Sequence, residues 1–238
     1  MKNDIITINN RVAHIRLPNE LNLNIGVELR DVCLNLIEKK DEVHIVLVTG
    51  AADCFCCGCD YADQTRIADV FAKLPQPTLA AINGDAMDQG LEIALACDLR
   101  IAIETARFAL RQVKMGKMPF DGATQRLPRI IGPARAFELI ITGKEIEAHE
   151  ALEIGLVNEV IAAPMWHERI NKLINDLLSF APWALFYAKE AIIEGMDLTL
   201  EQGLKLEADL YFLLHTTEDR IEGITAFKEK RPARFKKR

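Results

Sequence analysis

The chain has 238 residues, half of them hydrophobic, and a mean hydropathy of +0.05, which suits one globular domain or a domain with a helical extension. Its net charge of −6 argues against nucleic acid as the main partner. No apolar run reaches the roughly 18–20 residues of a membrane span, and the N-terminus lacks the apolar core of a signal peptide. We therefore expect a cytoplasmic protein that binds neither nucleic acid nor membrane.

The first half of the chain alternates between strand and helix patterns, and this alternation predicts an α/β architecture with parallel strand pairing. β-branched runs mark the strands, and apolar positions three and four residues apart mark the helices. The predicted elements are a hairpin of strands 5–8 and 12–17 around Asn9-Asn10, a helix over 27–40, strands over 43–49 and 78–82, a helix over 91–97, and a strand over 99–103.

From about residue 122 the periodicity becomes helical, with one short strand predicted over 157–161. We therefore divide the chain into an α/β core over 1–180 and a helical region over 181–238. The predicted helices of this half cover 133–142, 148–154, 167–180, 183–194, 200–216 and 218–230.

Four cysteines crowd into one short segment at Cys54, Cys56, Cys57 and Cys59. Zinc sites usually combine one C-x2-C pair with a second, distant pair or with histidines. Cys56 and Cys59 form one such pair, whereas the remaining cysteines of the chain, at 33 and 97, are isolated. We therefore expect no metal site and interpret the cysteines as reduced, buried thiols.

Four segments, taken in order, resemble the enoyl-CoA hydratase/isomerase (crotonase) family. They are FCCGCD (55–60), PTLAAINGDAMDQGLEIALACDLRIA (77–102), FALRQVKMGKMPFDGATQRLPRIIG (108–132) and AFKEKRPARF (226–235). The resemblance covers nearly the whole chain. It implies a spiral of β-β-α units with a C-terminal helical region that forms homotrimers, often paired into hexamers. It also implies an acyl-CoA thioester as substrate, with coenzyme A entering as part of the substrate and no other cofactor.

By resemblance, the backbone N–H groups of Cys59 and Gln89 form an oxyanion hole. A thioester carbonyl gains negative charge as an enolate forms, and two N–H donors at that oxygen stabilise the charge. Because the donors belong to the backbone, Cys59 can replace the commoner alanine. The resemblance also places Asp60 and Gly90 at the substrate, although Gly90 taken alone is more simply interpreted as a helix-packing glycine.

The catalytic pattern is only partly kept. Glu92 matches the first of the two glutamates of the hydratases, but Gln112 occupies the position of the second, and Arg111 stands before it where proline is usual. The family's G-G-G is here Asp88-Gln89-Gly90. Gln112 can orient water or substrate, but it cannot transfer a proton.

Asp121 is the leading substitute for the missing acid, because a second carboxyl in a dry site could acquire a raised pKa. The alternative is that Asp121 caps the helix that starts near Gly122. His215, on a predicted helix, is a weaker candidate. The basic residues Lys228, Lys230 and Arg231 could meet coenzyme A phosphates, or they could simply be a solvated cationic helix end.

The function predicted from these residues is enoyl-CoA hydratase or isomerase chemistry through an oxyanion-stabilised enolate. Glu92 is the base, Asp121 the possible second acid, and Gln112 the group that orients water or substrate. The alternatives are decarboxylation, hydrolysis or double-bond isomerisation of an acyl thioester that could be bound to a carrier protein. A further alternative is a weakly active paralogue that binds acyl thioesters, since one fold supports many reactions.

Overall fold

The computed structural model describes residues 5–51, 53–59 and 66–236. The strands are β1 (Ile6–Asn9), β2 (Val12–Leu17), β3 (Glu20–Leu21), β4 (Ile45–Gly50), β5 (Cys54–Cys56), β6 (Gly58–Cys59), β7 (Thr78–Ile82), β8 (Asp85–Met87), β9 (Leu99–Ile103), β10 (Arg107–Ala109), β11 (Ile146–Glu147) and β12 (Glu159–Ile161). The α-helices are α1 (Leu23–Glu38), α2 (Ala68–Ala72), α3 (Gln89–Ala96), α4 (Ala123–Ile131), α5 (Pro133–Thr142), α6 (Ala148–Glu153), α7 (Trp166–Leu178), α8 (Pro182–Gly195), α9 (Leu200–Leu214) and α10 (Glu218–Glu229).

The larger sheet has six strands in the order β1-β2-β4-β7-β9-β12. β1 and β2 form the predicted antiparallel hairpin, whereas each later pair is parallel, as the strand–helix alternation predicted. The turn is one residue later than expected, because Asn10 and Arg11, with φ of 45° and 64°, form it instead of Asn9-Asn10. A two-residue hairpin turn with both central residues at positive φ matches the twist of the strands that it joins.

A second, smaller sheet has four strands in the order β11-β10-β8-β5. Its strands β5, β8 and β10 are parallel, so the segments that follow them leave the sheet at one common edge. β5 continues into β6, β8 into α3, and β10 into a 3-10 turn over Gln112–Met115. Sequence segments far apart in the chain are thereby brought together at this edge.

The helical half of the chain matches its predicted helices to within a few residues. α7 covers one face of the larger sheet, where Trp166 and Ile170 pack on Leu47, Leu79 and Ile101. α8 starts with Pro182 in its first turn. This position suits proline because the N–H groups of the first turn form no hydrogen bond within the helix. Within the described ranges, no helix is both long enough and apolar enough to span a membrane.

Lys189 on α8 connects the C-terminal helices to the larger sheet. Its Nζ lies 2.7 Å from Asp98 Oδ2 and 2.9 Å from the carbonyl oxygen of Gln76. The other contacts of the Asp98 carboxylate are the N–H and the hydroxyl of Thr78, at the start of β7. The lysine side chain is only 9% exposed, so this ion pair is shielded from much of the solvent.

We predict that Lys189→Met lowers the free energy of unfolding by roughly 1–3 kcal/mol, less than the loss from a fully buried pair because Asp98 keeps partial exposure. Urea denaturation measures the change. Lys205→Met, at an exposed position of α9, is the matched control and should change stability by no more than about 0.5 kcal/mol. Equal effects of the two substitutions would contradict the anchoring role of Lys189.

Candidate active site

The common edge of β5, β8 and β10 carries the predicted site residues. Gln89 is the first residue of α3, and Glu92 lies one turn further along the same helix. Gln112 opens the 3-10 turn that follows β10. The loop before α4 supplies Asp121. Glu92 and Asp121 are fully buried, and Gln89 is 3% exposed.

The Glu92 carboxylate is held by backbone donors. Its Oε1 accepts hydrogen bonds from the N–H groups of Asp121, at 2.9 Å, and Ala123, at 3.1 Å, where α4 begins. Its Oε2 faces the Gln112 side chain, whose Nε2 lies 3.4 Å away. Burial is the largest influence on this carboxyl group and raises the pKa of Glu92 to about 7, with the Asp121 carboxylate adding to the rise and the two N–H donors opposing it. Glu92 can therefore exchange protons near neutral pH.

The Asp121 carboxylate contacts the start of α2 and not α4, the helix that follows Asp121 in the chain. Its Oδ2 accepts hydrogen bonds from the backbone N–H groups of Ile67 and Ala68, both at 2.8 Å, and from the side-chain amide of Gln89. The expectation that it caps the helix near Gly122 is therefore wrong, because it caps the start of α2 instead. Burial raises the pKa of Asp121 above its ordinary value. Its Oδ1 is buried and has no hydrogen-bond partner among the described residues.

Gln112 directs its amide group toward Glu92 and leaves its carbonyl oxygen unused. The Nε2 group is the end that faces Oε2, since two acceptors would repel each other there. Gln112 Oε1 is buried without a hydrogen-bond partner in the described part of the chain. The site thus contains a buried acceptor next to the carboxyl whose pKa is near 7.

The two segments predicted to carry the oxyanion donors lie together. Gln89 contributes the first N–H of α3, one of the N–H groups that have no acceptor within a helix. α3 packs against β6, where Cys59 is paired with Leu21. Asp60 lies outside the described residues.

Gly90 is required by the close packing of α3 on β5. A Cβ atom at this position would lie 2.1 Å from the carbonyl oxygen of Cys56, and that oxygen belongs to the backbone and cannot move freely. Helix packing therefore accounts for Gly90, and a substrate-binding role remains a prediction.

Two of the clustered cysteines are bonded to each other. Cys54 and Cys57 form a disulfide, so the interpretation of the whole cluster as reduced thiols is wrong for this pair. Three residues of separation place their Cα atoms 6.6 Å apart, within the reach of a disulfide. Cys33 and Cys97, elsewhere in the core, are buried free thiols, and Cys56 is buried as well. Within the described residues no cluster of histidine, cysteine and carboxylate side chains could hold a metal.

The C-terminal candidates lie on the last two helices. Lys228 is in the last turn of α10 and Lys230 caps that helix, as a cationic helix end would. Arg231 forms ion pairs with Glu222 and Glu229, each at 2.6 Å. The ring of His215 is exposed at the end of α9, with its Nδ1 3.0 Å from the carbonyl oxygen of Tyr211.

A buried carboxyl group with a pKa near 7, placed where helix N-termini converge, is typical of an acid–base enzyme. The sequence matches the family model described as enoyl-CoA hydratase/isomerase over residues 5–238. The chain belongs to the enoyl-CoA hydratase/isomerase family and is an acyl-CoA enzyme of that type.

The similarity extends over whole proteins. The chain is 34% identical to the crotonyl-CoA hydratase of Syntrophomonas wolfei, with 94% of this chain and 93% of the relative covered. It is also 34% identical to the 2,3-dehydroadipyl-CoA hydratase of Escherichia coli, with 98% and 95% covered. A crystal structure of an enoyl-CoA hydratase from Bacillus anthracis superimposes with a TM-score of 0.92 at 36% identity, covering 98% of this chain and all of that one. The fold is therefore the crotonase fold, as predicted.

Several groups of the candidate site could not be, or were not, identified from the sequence. The N–H donors of residues 67, 68 and 123 act through the backbone, and their side chains carry no signal for it. The ion pair between Asp88 and Arg111 was also missed, although both residues stand out as departures from the family pattern. Asp88 and Arg111 carry opposite charges at two positions that both depart from the family pattern, and this combination could have indicated the ion pair.

We predict that Glu92→Gln stabilises the protein at alkaline pH. The native carboxyl has a pKa of about 7 against an ordinary 4.5, so between these values the native state holds a proton that the unfolded chain releases. The contribution of the Glu92 carboxyl to the free energy of unfolding is fully present below pH 4.5. It is lost as the pH rises through 7, and the total loss is about 3 kcal/mol. The neutral glutamine avoids that loss and can still accept both N–H bonds.

Urea denaturation of wild type and variant at pH 5 and pH 8 measures the difference. The free energy of unfolding of Glu92→Gln, relative to that of wild type, should be higher at pH 8 than at pH 5. Glu190→Gln, at an exposed position of α8, should show no such change with pH. A difference between Glu92→Gln and wild type that is the same at both pH values would show that Glu92 is not a buried carboxyl with a raised pKa.

Proposed function

We propose that the chain hydrates 2-enoyl-CoA thioesters, with Glu92 as the single group that transfers protons. Water gives a proton to the Glu92 carboxylate while its oxygen bonds to Cβ of the enoyl group. The π electrons of the double bond move into the thioester and form an enolate, whose oxygen accepts hydrogen bonds from the N–H groups of Cys59 and Gln89. Glu92 then returns the proton to Cα, so the product contains all the atoms of one water molecule.

The unequal environment of the two Glu92 oxygens carries this proposal. Oε1 is occupied by two backbone N–H donors at 2.9 and 3.1 Å, whereas among the described residues Oε2 has one hydrogen-bond contact, and it is long, at 3.4 Å. Oε2 is therefore the more basic oxygen, and the two bonds to Oε1 fix the direction in which it points. A base with a pKa near the working pH combines a large ionised fraction with effective proton transfer.

Gln112 suits the orientation of the attacking water. A water that donates one hydrogen to Glu92 Oε2 has a second hydrogen that needs an acceptor in a buried site. Gln112 Oε1 is a buried acceptor with no partner in the described ranges, and it belongs to the amide that contacts Oε2. The glutamine thus takes over the orienting role of the usual second glutamate but not its proton transfer.

Asp121 acts in this proposal as an anchor. Its Oδ2 joins the start of α2 to the Gln89 side chain, and Glu92 contacts the backbone of Asp121. The carboxylate also contributes a negative charge that raises the pKa of Glu92. The competing role of second acid, delivering a proton to Cα, requires that removal of this carboxyl be as damaging as removal of Glu92.

A second candidate is a double-bond shift in 3-enoyl-CoA. The observation that favours it is the position of Glu92, a carboxyl of pKa about 7, next to the amide of Gln112, because one carboxylate can take a proton from one carbon and return it to another. Assays with 2-enoyl and 3-enoyl thioesters distinguish the two reactions.

The test compares crotonyl-CoA hydration by wild type and three variants in an absorbance assay for the conjugated thioester. Glu92→Gln should lower kcat about 100-fold or more, the scale of losing a general base. Gln112→Met should lower kcat roughly 10-fold through loss of water orientation. Asp121→Asn should cost less than about 10-fold, because the amide oxygen can still accept the N–H bonds of α2.

Three results would contradict the proposal. Loss of activity in Asp121→Asn as large as in Glu92→Gln would make Asp121 a second acid. Turnover of 3-enoyl but not 2-enoyl thioesters would make the chain an isomerase. Binding of crotonyl-CoA without turnover of either substrate would identify a binding protein.

Assembly and location are further parts of the proposal. The last helices expose large apolar side chains, among them Phe227 at 86%, Leu200 at 81% and Phe212 at 67%. Apolar exposure of this kind marks interaction surfaces, which supports a homotrimer or hexamer. Lys228 and Lys230 are exposed and could contact coenzyme A phosphates, whereas Arg231 forms ion pairs with Glu222 and Glu229. We expect the protein to act in the cytoplasm on coenzyme A thioesters, with no metal or other cofactor.

A further inference from the structure

Asp88 occupies a backbone conformation that normally requires glycine. Its φ of 50° and ψ of −114° lie in a region where a Cβ atom clashes with the backbone. The residue directly precedes Gln89, whose N–H is one of the two proposed oxyanion donors. The direction of that N–H therefore depends on what holds Asp88 in place.

The backbone N–H of Asp88 donates to the carbonyl oxygen of Ala109 at 2.8 Å, and Arg111 holds the Asp88 side chain. The Asp88 carboxylate accepts hydrogen bonds from the backbone N–H of Arg111 at 2.6 Å, from its Nε at 3.1 Å and from its Nη2 at 2.8 Å. The Asp88 side chain is 11% exposed and the Arg111 side chain 34%, so the carboxylate is largely shielded from water and the guanidinium only partly. Two guanidinium nitrogens on one carboxylate also restrict its orientation. Proline, usual at this position, could form none of these bonds.

The same guanidinium also contacts the segment that precedes Cys59, the second proposed donor. Arg111 Nη2 donates to the carbonyl oxygen of Cys57 at 3.0 Å. Cys57 lies two residues before Cys59, the second proposed donor, and is joined to Cys54 by the disulfide. One side chain thus links the segments that precede both donors.

We propose that Arg111 is a positioning residue that holds the two oxyanion donors of Cys59 and Gln89 at a fixed separation, with Asp88 as its partner. This inference rests on the proposed function, because it assigns a role at the same oxyanion hole. Oxyanion donors act only when they lie close to where the charge develops, and misplacement by about 1 Å can cost roughly 100-fold in rate. Arg111 contacts no reacting atom in this account and acts through the backbone.

The test reads carbonyl polarisation directly. The probe is 4-dimethylaminocinnamoyl-CoA, a conjugated thioester whose electron-donating ring opposes water addition and whose absorption shifts to longer wavelength when its carbonyl is polarised. The proteins are wild type, Arg111→Ala, Arg111→Lys and Asp88→Gly/Arg111→Ala. The affinity for coenzyme A alone and kcat for crotonyl-CoA are measured in parallel.

Arg111→Ala should lose most of the red shift and lower kcat roughly 10- to 100-fold, while it binds coenzyme A within about threefold of wild type, a change below 0.7 kcal/mol. Arg111→Lys should be intermediate, because an ammonium cannot contact the carboxylate at two nitrogens and the Cys57 carbonyl as well. Since this variant keeps the positive charge beside Asp88, it provides the readout if Arg111→Ala does not fold. The double variant should recover part of the shift, because glycine adopts the conformation of residue 88 without a partner.

A wild-type shift that Arg111→Ala and Arg111→Lys retain in full would overturn the positioning role and leave the proposed oxyanion hole intact. An equal loss in single and double variants would overturn the part assigned to Asp88. Absence of a shift in bound wild type would contradict the oxyanion hole, and this inference with it.

Discussion

The burial of the Glu92 carboxylate among backbone N–H groups is the constraint on which the site depends. A carboxylate removed from water needs donors, and Glu92 finds them in Asp121 and Ala123 at the start of α4. Asp121, brought there by its own backbone, places its carboxylate at the start of α2 and on the Gln89 side chain. The starts of three helices are thereby tied to two buried acids. The same burial makes Glu92 costly to the fold and useful as a base, because both follow from its raised pKa.

Four departures from the family pattern, at Asp88, Gln89, Arg111 and Gln112, contact other residues of the site. Asp88, where glycine is usual, pairs with Arg111, where proline is usual. Gln89, in place of a second glycine, donates to Asp121 in the loop before α4. Gln112, in place of glutamate, lies against the retained Glu92. Because each of these four residues contacts another residue of the site, the altered pattern describes a coherent alternative arrangement of the same site. A loss of function by scattered substitutions would not require such contacts.

Sequence reasoning predicted the elements with strong periodicity and missed those without it. The strands β7 and β9 and the helix α5 were predicted at their observed bounds, because β-branched runs and apolar spacing mark them. Strands of two or three residues, such as β5 and β8, carry too few residues for a pattern. Motif positions singled out Glu92 and Gln112 as candidates, and the structure places the two side chains in contact. The capping of α2 by a residue more than fifty positions away could not be predicted, since only the folded chain brings the two together.

The pH dependence of kcat/KM for crotonyl-CoA, measured for wild type and Asp121→Asn, tests the single-base account most directly. We predict one ascending limb, because Glu92 must be ionised to accept a proton, with an apparent pKa of about 7 and a plateau above it. Asp121→Asn should move that limb to lower pH, since it removes the neighbouring negative charge that raises the pKa of Glu92. A bell-shaped wild-type profile whose descending limb disappears in Asp121→Asn would show instead that Asp121 donates a proton, and would contradict the account.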